Sequence, residues 1–351
     1  MRRVFCCLFL LGFSAGSLAA VGVEPSVVHL PAKSYAVADV LSAIEKQTGN
    51  RIVDRRTTRT PETFDIGFEG QTFWQALELI AAKLDARIFP YGDGGVQLLD
   101  GPFRSHNLNV GVCRLEVKSV AVQRDFQTER LTCVLDIECA WEPRFEPLYL
   151  TVDAVKGAFA PMASGKALSF GPTRGVAQSV AERRAQVIEL RFPAPDRTSP
   201  AIALLSGELK FLGADRMLNV TFADLAGGKQ VRFFKDAGVA VTLVQVGVGK
   251  KHWTFDLEIE NPEMPPFESF QSWTANNRIH LERTKGGKKE IWTHNPSEES
   301  ADVSGRRAKI RYSFTGAQNQ GALSEWTLVY RTPSRIVETI LPFTLRDVPL
   351  P

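Results

Sequence analysis

The sequence predicts an α+β N-terminal module, a small sheet with two helices, followed by an all-β chain folded as two tandem β-sandwich domains. Three observations lead there. Apolar residues recur with helical period twice before residue 100 and nowhere convincingly after it. Beyond residue 110 they alternate with period two, as in strands with one buried face. Motifs of the first alternating stretch then return in the second.

Val27, Val28 and Leu30 form a short strand closed by Pro31, which lacks the donor a sheet ladder needs. Val37, Val40, Leu41 and Ile44 then fall on one helix face, and Gly49 supplies a left-handed stop. Residues 51–53 and 63–68 are extended, with Pro61 in the turn between them. A second helix over 72–84 opens with Thr72 and Gln75, the two halves of a capping box, and buries Phe73, Leu77, Ile80 and Leu84. Residues 87–89 and 96–99 close the unit as a hairpin around Gly92, Asp93, Gly94 and Gly95. In so short a stretch both helices are expected to cover one face of a single sheet.

The stretch from about 27 to 100 resembles the short N-terminal domain shared by bacterial secretins and TonB-dependent signalling receptors. The resemblance is carried by Ala38-Asp39-Val40-Leu41, by Thr48-Gly49-Asn50-Arg51-Ile52-Val53, by Thr72 to Ile80, and by Gly94-Gly95-Val96. It implies a periplasmic docking module that meets other envelope proteins through its helices and a sheet edge. No catalytic residue comes with it. Nothing downstream resembles a secretin pore or a receptor barrel, whose strands would run about ten residues with a lipid-facing apolar band.

Arg2 and Arg3 precede an apolar run from Val4 to Phe13, and Ser17-Leu18-Ala19 follows as a small-x-small site. Residues 1–19 therefore read as a secretory signal peptide, too short to span a bilayer, with cleavage near Ala19. The expected location is the periplasm or outside the cell, peripheral to a membrane at most. Of 42 basic and 39 acidic side chains only those two arginines leave with it, so the mature chain is nearly neutral and a nucleic-acid partner is disfavoured. Cys113, Cys133 and Cys139 remain. If a hairpin turns about Phe126, Cys113 lies opposite Cys139 and the two could form a disulfide; otherwise the three are small buried hydrophobes.

The β chain divides in this reading into domains at 110–226 and 230–351. Leu135-Asp136-Ile137-Glu138 is echoed by Leu257-Glu258-Ile259-Glu260, Cys113 to Val120 by Val239 to Val246, and Val220 to Leu225 by Pro342 to Val348. Each copy has room for about seven short strands, which suits a sandwich. With Trp141-Glu142-Pro143-Arg144 and the terminal Phe343, Asp347, Pro349, Leu350 and Pro351, this part resembles uncharacterised exported bacterial β-sandwich proteins. That likeness carries no activity.

No spacing points to an enzyme, a cofactor or a metal. The five histidines are scattered. Ser164-Gly165-Lys166 lacks the hydroxyl of a phosphate loop and reads as a turn. Glu138, Glu142 and Glu146 read as solvated carboxylates, and Trp141 as stacking with Arg144 at a sheet edge. Trp253 and Trp326 sit in strong strand patterns and read as core, whereas Trp273 and Trp292 flank polar loops and could present a flat surface to a sugar. The favoured expectation is thus a non-enzymatic envelope protein that binds a protein partner, with Asp39, Lys46, Arg51 and Gln75 as polar contacts. The alternative is binding of envelope polysaccharide or peptidoglycan through Trp273 and Trp292.

Overall fold

In a computed structural model the described residues are 23–58, 61–92, 94–103, 107–160, 169–173, 177–195, 199–214, 216–226, 232–236, 238–260, 277–294, 300–304, 307–334 and 336–351. They are mostly strand, arranged in several sheets, with two α-helices. The expected signal peptide, the Ser164-Gly165-Lys166 turn and Trp273 lie outside the described residues.

The N-terminal elements run β1 (Val27–Ala36), α1 (Val37–Thr48), β2 (Ile52–Asp54), β3 (Thr63–Thr72), α2 (Phe73–Leu84), β4 (Ala86–Phe89) and β5 (Val96–Asp100). Gly49 ends α1 in the left-handed region at φ 72°, and Thr72 and Gln75 close the capping box of α2 from both sides. Two expectations need correction. β1 does not stop at Pro31: its register with β3 slips between Leu30 and Lys33, so the proline falls at a bulge where no ladder donor is required. The strands also form two sheets, β1-β3 and β2-β5-β4, instead of one. A Cβ on Gly95 would meet the Arg51 carbonyl oxygen at 2.5 Å, so glycine is what lets β5 lie against the chain entering β2.

Next come β6 (Asn107–Val110), β7 (Cys113–Asp125), β8 (Arg130–Trp141), β9 (Pro147–Phe159), β10 (Ser169–Thr173), β11 (Gln178–Ser179), β12 (Ala185–Pro193), β13 (Ala201–Ala214) and β14 (Met217–Phe222). They are followed by β15 (Arg232–Asp236), β16 (Val239–Val248), β17 (His252–Glu260), β18 (Arg278–Lys285), β19 (Lys288–Thr293), β20 (Ser300–Ser304), β21 (Arg307–Thr315), β22 (Thr327–Pro333) and β23 (Ile336–Pro349).

The sheet orders repeat. One pair of sheets is β12-β8-β7-β6 and β10-β9-β13-β23; the other is β20-β21-β17-β16-β15 and β19-β18-β22-β14. Each pair shares one apolar cluster, the first around Leu135, Trp141, Phe159 and Phe211, the second around Trp253, Phe255, Tyr312 and Tyr330. A bulge follows Val117 in β7 and Leu243 in β16, positions that the sequence repeat equates. Asp224 and Asp347, also equated, both have positive φ, 51° and 52°.

The last strand of each half is exchanged. β14 pairs with β22 of the second half, and β23 pairs along its length with β13 of the first. Phe343, Leu345 and Val348 of β23 accordingly belong to the first apolar cluster, and Leu218, Val220 and Phe222 of β14 to the second. Sheet membership therefore departs from the expected division at 226 and 230.

The β7-β8 hairpin forms, but with a different register from the one expected. Asp125 faces Arg130 across a four-residue turn, and Cys113 faces Trp141, while Cys139 faces Leu115. All three thiols are buried and unbridged, so the Cys113–Cys139 disulfide is absent. Burial raises the Cys113 pKa, as do its hydrogen bond with Cys139 and the nearby charge of Glu142; burial pushes the Cys133 thiol up to about 11. Thiolate is the reactive form. Protein lacking residues 1–19 should therefore show no reactive thiol when native and three in guanidinium without reductant, counted with a chromogenic disulfide reagent. A count of one in guanidinium would establish the bridge.

Candidate interaction surfaces

Helix α2 is covered on two sides. Phe73, Ala76, Leu77, Ile80 and Leu84 face the N-terminal apolar cluster, which also takes in Ala140 of β8 and Ala185 of β12. Trp74 is fully buried, and its indole N–H donates to the Val112 carbonyl at 2.9 Å. Glu78 accepts from Arg114 Nε at 2.9 Å, from Asn109 at 2.8 Å and from Asn107. Arg114, itself 2% exposed, continues to Glu116 at 2.6 Å. The helix expected to meet a partner is thus built into the face of the first β half. Its Leu79 remains 45% exposed.

A second polar cluster lies where β8 ends. Glu142 is fully buried and accepts from the Ser26 backbone N–H at 2.8 Å, from Asn50 Nδ2 at 2.9 Å, from Arg144 Nε at 2.7 Å and from the Ser26 hydroxyl. Asn50, also fully buried, accepts from the Arg144 N–H at 2.9 Å and donates back through its own N–H to Thr48 Oγ1 at 3.1 Å. Arg144 reaches on to the Glu24 carbonyl. A carboxylate stripped of water is tolerable only with such a set of donors and a cation.

These contacts overturn the solvated reading of two glutamates. Glu142 is at 0% exposure and Glu138 at 3%; Glu146 does reach solvent and pairs with Arg331 at 2.5 Å. Lys118 approaches Glu138 at 3.5 Å. Tyr91 has its hydroxyl pKa raised by burial and by the charge and hydrogen bond of Glu138. Trp141 is fully buried with its ring edge-on to Phe211 at 5.7 Å, in the core and not stacked at a sheet edge.

Of the four expected contact residues, Asp39 and Lys46 are exposed in the first and last turns of α1. Seven residues apart, they share the outer face of that helix. Arg51 is exposed beyond its C-cap, with its guanidinium beside Gly94. Gln75 belongs elsewhere: it is exposed on α2, but its Oε1 accepts from the Thr72 N–H at 3.0 Å, so its side chain is tied into the cap. The open edge of β1 is blocked at one point by Gln47, whose amide accepts from the His29 N–H at 3.0 Å and donates to the His29 carbonyl at 2.9 Å, as a neighbouring strand would.

The tryptophan surface is corrected for Trp292. Its ring is partly buried and packs edge-on against Trp253 at 5.3 Å, Phe314 at 5.4 Å and Trp326 at 5.9 Å, so it closes one end of the second cluster. A sugar platform needs a free indole face. Trp253 and Trp326 are buried, as their strand patterns predict.

Among the described residues no three His, Cys, Asp or Glu side chains are gathered as for a metal ion, and no helix is long and apolar enough to cross a membrane. The chain matches no model of a known protein family and no curated protein sequence.

Proposed function

We propose that this is a non-enzymatic protein of the bacterial envelope, periplasmic or secreted, that binds another envelope protein through residues 27–100. That segment is read as a secretin/TonB-type short N-terminal domain, an α+β module, mounted on two tandem β-sandwiches. The element order β1-α1-β2-β3-α2-β4-β5 is the one the family resemblance leads us to expect, and two sheets sharing each β cluster suit a sandwich. The observation that carries the functional reading is the unequal treatment of the helices. Two sides of α2 are taken up within the chain, leaving it a stripe of Gln75, Leu79, Ala82 and Lys83 in solvent, while the outer face of α1, with Asp39, Ser42, Glu45 and Lys46, stands in solvent with charges of both signs.

Deleting the module would strip Trp74 and Glu78 from the sheet beneath them, so the test uses the intact chain. Tagged protein is incubated with envelope extract beside a D39K/K46E variant and an E189K/R191E control on the exposed face of β12. Specific capture of one protein, lost at least tenfold with the α1 reversal and kept by the control, is the expected result. Capture indifferent to the α1 charges, or retention of glycan alone by all three proteins, would sink the proposal.

A further inference from the structure

Between the first and second β halves lies a cavity of about 280 Å³ whose wall carries Arg183, Arg184, Arg278 and Arg331. Among the described residues two acidic side chains, Glu146 and Glu182, line it with them. Arg278 and Arg331 are register partners across β18 and β22, so two cations stand directly opposite each other on one face, an arrangement that destabilises a sheet unless something answers it. Glu182 pairs with Arg278, and Glu146 with Arg331 at 2.5 Å. Among the described residues the Arg183 guanidinium donates to the neutral Gln186, at 2.6 Å, and has no ion-pair partner, and the Arg184 side chain has none either. Two of the four guanidinium charges are thus without a counter-charge among the described residues. Burial, with Arg331 alongside, lowers the Arg278 pKa from its ordinary value, and arginine still keeps its proton.

Phe145, Leu148 and Met217 provide an apolar part of the same wall. Planar guanidinium groups match the oxygens of phosphate two at a time, and a volume near the lower end of ligand cavities suits a molecule about the size of one sugar. We propose that this cavity binds a small dianion, a phosphate monoester of sugar size, with Arg183 and Arg184 taking the phosphate and the apolar wall taking the body. The site shares no residue with the α1 face, so it stands or falls separately from the partner-binding proposal.

The test is calorimetric titration of the whole chain at low salt with glucose 6-phosphate, inorganic phosphate and glucose, repeated on Arg184→Gln and, as a control for general charge, on Arg124→Gln in the exposed β7-β8 turn region. The Arg184 side chain has no ion-pair partner among the described residues, so its replacement by glutamine should leave the melting temperature unchanged. The expected result is saturable one-to-one binding of glucose 6-phosphate that weakens at least tenfold in R184Q, stays the same in R124Q, and is absent for glucose. Inorganic phosphate should bind through the same arginine, more weakly. No saturable binding of either phosphate, or equal loss in R184Q and R124Q, would overturn the proposal.

Discussion

Replacing Glu142 with alanine is expected to lower the unfolding free energy by about 3–5 kcal/mol. The carboxylate is fully buried and gathers Ser26, Asn50 and Arg144 from three separate parts of the chain. Its loss leaves the Ser26 N–H without its acceptor and the Asn50 amide with only the Ser26 hydroxyl at 3.2 Å, in a site largely screened from water, each at a cost of about 1–3 kcal/mol, while Arg144, 34% exposed, turns back to solvent. Against a total stability of about 5–15 kcal/mol this is a large fraction. Glu142→Gln keeps the shape and one good acceptor and should lose roughly half as much. Urea midpoints at constant m-value measure the loss. Amide exchange should speed first around Ser26 and Asn50, where the contacts are broken. A midpoint within about 0.5 kcal/mol of the parent would mean the network contributes nothing, since ordinary surface changes fall in that range.

Removal of residues 336–351 should be more damaging still. The cut takes Phe343, Leu345 and Val348 from the first apolar cluster, each worth about 1.5–3 kcal/mol when buried. It also uncovers the far edge of β13, fourteen residues long, whose buried positions alternate with half-buried ones, a ready template for another chain. We expect no cooperative unfolding of the first half and precipitation of the truncated chain at micromolar concentration. A fragment ending at 226 should fail in the same way, because it lacks β23 and leaves β14 without its partner β22. A monomeric, cooperatively melting fragment of 23–226 would disprove the strand exchange.

Local chemistry made part of this fold legible. Both helices follow from apolar spacing, and their ends from Gly49 and the Thr72–Gln75 pair, because caps act within four residues. The hairpin tip at Gly286 and Gly287, with φ of 57° and 76°, is equally local. The β7-β8 register was not, since a four-residue turn and a bulge after Val117 both displace the partner residues while leaving the alternation looking regular. The burial of Glu142 is hidden in the sequence for a related reason. Its neighbours Pro143 and Arg144 suggest an exposed turn, whereas the groups that bury it, Ser26 and Asn50, stand 116 and 92 residues away. The repeat was visible in sequence, yet nothing in it distinguishes a strand that closes its own half from one that closes the other.

The placement of β23 also bears on when the molecule can form. β13 is complete at Ala214, but its partner begins only at Ile336, about 120 residues later. At roughly 5–20 residues per second of synthesis, β13 waits on the order of 6–25 seconds with its edge open. The second half is therefore made, in order of appearance, while the first is unfinished, and the earliest β core to be started is the last to close. Such a chain favours handling as one complete piece over folding from its leading end.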